Sequence, residues 1–142
     1  MKVVVGSDHA GYSLKEHLKA KLLEWGHEVD DVGTHSAEST DYPDWGKKVA
    51  DAVLGFQIPG LAVCGTGIGI SIACNRVHGV RAAVVHDETS ARLTRMHNNA
   101  NIVCFGERLI GPLVAEKCLE VFLSTEFEGG RHQRRIDKLD KI

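Results

Sequence analysis

Five short, β-branched apolar runs punctuate this chain, each separated from the next by room for one helix. That alternation restricts the possible fold more than any other feature. The runs are KVVVG (2–6), HEVDDVG (27–33), LAVC (61–64), VRAAVV (80–85) and NIVCF (101–105). Most are continuous rather than alternating, as expected of parallel strands covered on both faces. Between them the period turns helical. SLKEHLKAKLLEW sets Leu14, Leu18, Leu22 and Trp25 on one stripe, with Ser13 and Glu16 spaced as a capping box and Gly26 after its end. DWGKKVADAVLG carries Trp45, Val49, Ala52 and Val53 on a face, with Gly55 as its stop. ETSARLTRMH follows Asp87, a good N-cap, and GPLVAEKCLEVFLS reads as the next helix. A shorter charged helix is expected to close the chain after GGRHQRR.

Repeated strand–helix alternation predicts an α/β fold: a doubly wound, Rossmann-like, five-stranded parallel sheet. Right-handed crossovers make the order 2-1-3-4-5 the expected one. At 142 residues the chain is one domain's worth, so residues 1–142 are expected to form a single domain. The expected order has its switch point between strands 1 and 3. Ligands of such sheets bind beyond the carboxyl ends of the strands beside that point. The places to look are therefore after Gly6 and after Val63.

Charge and composition narrow the partners. A formal net charge of −2 with 25% charged residues argues against nucleic acid or an anionic membrane. No apolar run approaches the roughly 18 residues of a membrane span, and MKVVVGSDHAGY lacks a signal-like apolar core. A soluble, cytoplasmic protein is expected. Cys64, Cys74, Cys104 and Cys118 form no C-x-x-C pair and no zinc-like spacing, so reduced thiols are expected.

Polar residues gather at the expected strand ends. SDHAGY, with Asp8 and His9, follows the first strand; GTHSAESTDYP, with Asp41 and Tyr42, follows the second; FGERLIG, with Arg108, follows the fifth. After the third comes CGTGIGISIACNR, where Gly65, Gly67 and Gly69 permit positive φ and close approach to backbone amides. Those amides open a helix, whose N-terminus favours negative charge. Such a loop can hold a phosphate or carboxylate, or stabilise an oxyanion formed only during reaction. A thiol at its entrance, Cys64, is suited to act as thiolate base or nucleophile. The alternative is a tight β–α turn with a buried cysteine. The loop is not a dinucleotide fingerprint, since Ile70 stands where its last glycine would be and it follows the third strand. Asp87, some twenty residues on, keeps a weaker nucleotide reading open.

Two further runs stand out. GGRHQRRIDK (129–138) places Arg131 and Arg135 four apart, on one helical face, where they could grip one phosphate. Its alternative is a solvated basic tail. MHNNAN (96–101) offers His97 as an acid or base and Asn98 as a polar anchor. His17, His27 and His78 suggest no role; His35 and His86 lie at strand ends, where a role stays open, and none is assigned to them.

Together, GSDHAGY, TDYPDWG, CGTGIGISIACNR, HNNAN, FGERLIG and GGRHQRR resemble, in this order and nearly end to end, the B-type ribose-5-phosphate isomerases, with their allose- and galactose-6-phosphate relatives. The resemblance implies metal- and cofactor-free interconversion of ribose 5-phosphate and ribulose 5-phosphate, a step of the pentose phosphate pathway. It implies Cys64 as the base moving a proton between C2 and C1. Backbone amides of Gly65, Gly67, Ile68 and Gly69 would stabilise the enediolate, with Thr66 assisting. His97 would open the furanose. Asp8 and Asn98 would hold sugar hydroxyls, Tyr42 would line the pocket, and His9, Arg108, Arg131 and Arg135 would hold the phosphate. Members are homodimers or dimers of dimers with sites shared between subunits. Some relatives use a glutamate a few residues beyond the cysteine; here that region reads IGIS, and Ile70 cannot serve. Galactose-6-phosphate isomerase subunits lack the HNNAN histidine and the GGRHQRR ending, both present here. Two alternatives remain: a hexose-phosphate isomerase such as one for allose 6-phosphate, and a non-catalytic phosphosugar- or nucleotide-binding module. Mere binding has no need for a base and a ring-opening acid.

Overall fold

The computed structural model describes residues 1–142. Its strands are β1 (Lys2–Ser7), β2 (Glu28–Gly33), β3 (Gly60–Cys64), β4 (Ala82–Val84) and β5 (Ile102–Gly106), all parallel in one sheet. The helices are α1 (Tyr12–Glu24), α2 (Tyr42–Phe56), α3 (Ile68–Asn75), α4 (Glu88–Asn98), α5 (Pro112–Ser124) and α6 (Arg131–Leu139), with a 3₁₀ turn at His9–Gly11. The α/β class and the five parallel strands are as expected.

The strand order is not. It runs β2-β1-β3-β5-β4, so the fourth and fifth strands exchange places relative to the expected 2-1-3-4-5. Packing of the crossover helices explains the exchange. Stepping from β4 back to β5 with a right-handed crossover carries α4 to the face opposite α3. There α4 packs on α5, which also touches α1, while α2 and α3 pack together on the other face. The sheet is thus covered by helices on both sides. Burial agrees: all five residues of β5 are buried, whereas the three of β4 are half-buried, as suits a short edge strand.

Strand alternation builds the two cores. Val3, Val5, Leu61 and Val63 meet Leu18 and Leu22 of α1 on one face, while Val4 and Ala62 meet Val49 and Val53 of α2 on the other. Leu18 is fully buried, so truncating it to alanine would cost about 2–5 kcal/mol.

Two local details differ from expectation. Ser13 is no N-cap, because α1 starts at Tyr12 after Gly11. Asp8 instead caps the preceding turn, accepting from the Gly11 amide at 3.0 Å. Gly55 does not stop α2, which continues to Phe56 and ends at Gln57 in the left-handed region. Asp87 does cap α4, accepting from the Ser90 amide at 2.6 Å.

Candidate active site

The carboxyl ends of β1, β3 and β5 lie side by side, and their loops are pinned to one another. The Glu107 and Arg108 amides donate to the carbonyls of Cys64 (2.9 Å) and Gly65 (3.0 Å), tying the loop after β5 to the loop after β3. The Asp8 amide donates to the Val63 carbonyl at 3.3 Å, adding the loop after β1. Glycine is required where these backbones cross. A Cβ on Gly106 would lie 2.4 Å from the Thr66 carbonyl carbon, and one on Gly11 would lie 2.5 Å from the Val63 carbonyl oxygen. Glu107 adds a bond the sequence did not suggest: its carboxylate accepts from the Leu14 amide at 2.7 Å, capping the first turn of α1 from another loop.

Cys64 ends β3 and is buried, with its Sγ accepting a hydrogen bond from the Gly67 amide at 3.1 Å. Gly67 has φ of 77° and is the residue before α3, so the turn aims this amide back at the thiol. The Ile68 amide donates to Thr66 Oγ1 at 3.2 Å. Two of the four amides expected around an oxyanion are therefore engaged within the loop. No side chain takes the amide of Gly65 or of Gly69. The arrangement offers one N–H to the sulfur and keeps others at the mouth of α3 for an incoming group.

Other expected residues surround this loop. The Arg108 guanidinium carbon lies 3.4 Å from where a Gly65 Cβ would stand, so the cation covers the loop's first residue. The Tyr42 ring lies 2.8 Å from a notional Gly69 Cβ and is itself exposed, forming one wall. Asp8 is buried beneath. His9 accepts from the Thr40 amide through Nδ1 at 3.1 Å, which leaves Nε2 as the atom that can donate outward.

His97, Asn98, Arg131 and Arg135 are elsewhere. Helix α4 starts after β4 and ends just before β5, so its last turn, with His97 and Asn98, lies at the amino edge of the sheet. Cys64 pairs with Gly106 at the carboxyl end of β5, while Gly60 pairs with Ile102 at the amino end. Four residue steps of strand, roughly 13 Å, thus separate the two levels. One chain does not bring Cys64 and His97 together.

At the amino edge the structure assembles a second cluster. His97 and His132 stack with ring centroids 4.5 Å apart and planes 17° from parallel. His132 is buried, and Glu128 approaches its Nε2 at 3.6 Å. Burial, with help from nearby His97 and the Arg131 and Arg135 guanidiniums, holds the His132 imidazole below its ordinary value. The donor atoms of His97, Glu128 and His132 all lie within 4.8 Å of one another, a spacing a metal could use. The two arginines on the same helix give the surroundings a charge that suits an anion better than a cation. Arg131 and Arg135 are exposed one turn apart, while His132 and Ile136 face inward from the same helix. His132 lies within the basic run 129–138, where the sequence gives it no role of its own. Its spacing of four from Ile136 was the available sign of a buried stripe within a basic run.

Known proteins resemble this chain in sequence and in backbone. A family model described as Ribose/Galactose Isomerase matches residues 3–139. The chain is 44% identical to ribose-5-phosphate isomerase B of Escherichia coli, over 99% of this chain and 95% of that protein. Ribose-5-phosphate isomerase B of Clostridium thermocellum superposes with a TM-score of 0.98 at 48% identity, covering 99% of this chain and 96% of the other. The Mycoplasma genitalium enzyme, solved with bound ribulose-5-phosphate, superposes at 0.95 with 40% identity, covering 99% and 94%. No helix is long and apolar enough to cross a membrane. Since likeness in sequence and in backbone runs almost end to end, the chain belongs to the ribose/galactose isomerase family.

Proposed function

We propose that this chain interconverts ribose 5-phosphate and ribulose 5-phosphate, with Cys64 as the base. The carrying observation is the Cys64 sulfur held at 3.1 Å by the Gly67 amide, at the mouth of a helix and inside a loop whose glycines admit close approach. Relatives bearing the name ribose-5-phosphate isomerase B, one of them holding ribulose-5-phosphate, support the pentose substrate. In the reaction the thiolate takes the proton from C2 and returns it to C1, while the hydroxyl proton passes from O2 to O1. The Gly67 amide serves the sulfur. The remaining loop amides, with Thr66 beside them, meet the charge that grows on the enediolate oxygens. Arg108 and His9 provide donors at this edge for the phosphate, and the Asp8 carboxylate accepts from a sugar hydroxyl.

Ring opening by His97 and the grip of Arg131 and Arg135 require a second copy, because these residues sit at the opposite edge of the sheet. Homodimerisation supplies them. Exposed Ile68 and Ile72 of α3, with Leu109, Leu113 and Val114 around the start of α5, form apolar surface suited to such contact. The deciding assay is turnover of ribose 5-phosphate by the purified chain, with and without exhaustive chelation, beside allose 6-phosphate as competitor substrate. Preference for the pentose, insensitive to chelation, is expected. No turnover of either sugar overturns the reading, and preference for allose 6-phosphate moves it to the hexose.

A further inference from the structure

His132 has no part in the chemistry above, yet it is among the few polar side chains of the chain that are almost wholly buried, at 5% exposure. Its Nε2 finds no hydrogen-bond partner. What it does touch is His97, ring on ring at 4.5 Å. The scaffold holds this stack from both sides. The Glu128 amide donates to the Met96 carbonyl at 3.1 Å, joining the segment before α6 to the residue beside His97. Gly129 and Gly130, with φ of 72° and 58°, then turn the chain into α6 so that His132 falls in its first turn, facing inward. Ile136, one turn on, anchors that face.

His97 itself lies in the last turn of α4, half-exposed, and no hydrogen bond fixes its ring. An imidazole so placed is free to turn about χ1 and χ2 unless something covers one of its faces. We propose that His132 is a positioning residue: its buried ring is the platform on which His97 lies, and through it α6 aims the His97 imidazole at the sugar ring. The inference rests on the reading that His97 opens the furanose. In that step His97 delivers a proton to the ring oxygen, the C1 hydroxyl gives up its own to water, and the C1–O4 bond breaks as the carbonyl forms. A general acid must lie within hydrogen-bond reach of its target. Helix α6 also carries Arg131 and Arg135 on its outer face, so the element that would hold the phosphate also sets the acid.

A substrate that never closes a ring isolates this role. 4-Deoxyribose 5-phosphate keeps the phosphate and the reacting carbons but lacks the hydroxyl that forms the furanose. His132→Leu fills the space without a flat ring; it should lower kcat on ribose 5-phosphate by about 10²-fold, as small misplacements of catalytic groups do, with KM changed by less than about threefold. On the deoxy sugar His132→Leu should match wild type. His132→Phe, which restores a flat ring, should recover most of the loss. If His132→Leu does not fold, His132→Asn takes its place. Equal loss on both sugars, no loss on ribose 5-phosphate, or failure of His132→Phe to rescue overturns the proposal. His97→Ala is the control: if it spares the deoxy sugar while His132→Leu does not, positioning alone falls. If His97→Ala loses both sugars equally, the ring-opening reading falls and the inference falls with it.

Discussion

The Gly67 amide points at the Cys64 sulfur from 3.1 Å, across a turn that only a left-handed residue can make. This contact connects local backbone geometry to the proposed chemistry, because it fixes the sulfur at the mouth of α3, beside the loop amides. Replacing the thiol should therefore remove the base without removing the binding groups. Cys64→Ala is expected to lower kcat by about 10²–10⁴-fold, the usual worth of a general base, with KM within a few fold. Steady-state kinetics measure both, and retained turnover would exclude Cys64 as the base.

Gly67 can be tested separately from the thiol. A Cβ there would stand 2.9 Å from the Phe105 carbonyl carbon and 3.0 Å from the Gly106 nitrogen, on backbone at φ 77°. Gly67→Ala should destabilise by about 1–3 kcal/mol, typical of such strain, and depress kcat as the amide swings away from Cys64. Gly55 is the contrast: it lies inside α2 with nothing within 4 Å of a notional Cβ. Gly55→Ala should stabilise by about 0.4–1 kcal/mol with activity unchanged. Urea unfolding of the two variants beside wild type gives the comparison.

Arg131→Ala and Arg135→Ala should each raise KM for the sugar phosphate, and inorganic phosphate should compete. A charge-assisted hydrogen bond contributes on the order of 1.5–3 kcal/mol, so kcat/KM should fall at least about tenfold. Unaltered kinetics in both variants would return the basic helix to a solvated surface.

Lys15 is fully buried and ion-paired to Asp31 at 2.8 Å, with Lys19 on the other carboxylate oxygen. Burial by itself would raise the Asp31 carboxyl, but hydrogen bonds from Lys15, Lys19 and the Gly33 amide outweigh it and hold the group below the usual range. The folded value is thus depressed. The associated stability is full above the ordinary aspartate value of about 4 and is lost as pH falls through and below it. Asp31→Asn should destabilise at neutral pH by about 3 kcal/mol, since it leaves a buried ammonium poorly matched. The deficit should shrink on acidification below pH ~4; thermal unfolding across pH 2–7 reads it, and a deficit independent of pH would contradict the pairing.

The opposite placement of Cys64 and His97 gives the sharpest test of a shared site. Cys64→Ala and His97→Ala homodimers should each keep no more than about a hundredth of wild-type turnover of ribose 5-phosphate. In a mixed dimer one site carries both defects and the other neither. Random mixing makes half the dimers mixed, so coexpressed chains should recover about a quarter of wild-type activity by two-fold symmetry. Verified mixed dimers without recovery would end the composite-site reading.

Much of this was readable from local pattern. Continuous apolar runs such as Val3–Val5 and Ile102–Phe105 mark strands buried on both faces, and the spacing of Leu14, Leu18 and Leu22 marks the helix between the first two strands. The dense glycines after Cys64 marked a backbone that something must approach closely. Chemistry of that kind resides in neighbours along the chain, so it survives in the one-dimensional record. Tertiary packing alone decided the rest. The exchange of β4 and β5 depended on which face α4 could share with α5, a choice between non-local partners. The burial of Lys15, set in helix α1 between buried Leu14 and half-buried Glu16, depended on Asp31 arriving from β2 sixteen residues later. The stack of His132 on His97 joins residues thirty-five apart, through a helix terminus and a turn that no periodicity records. Spacing reports which side of an element is buried; only the assembled sheet determines what lies against it.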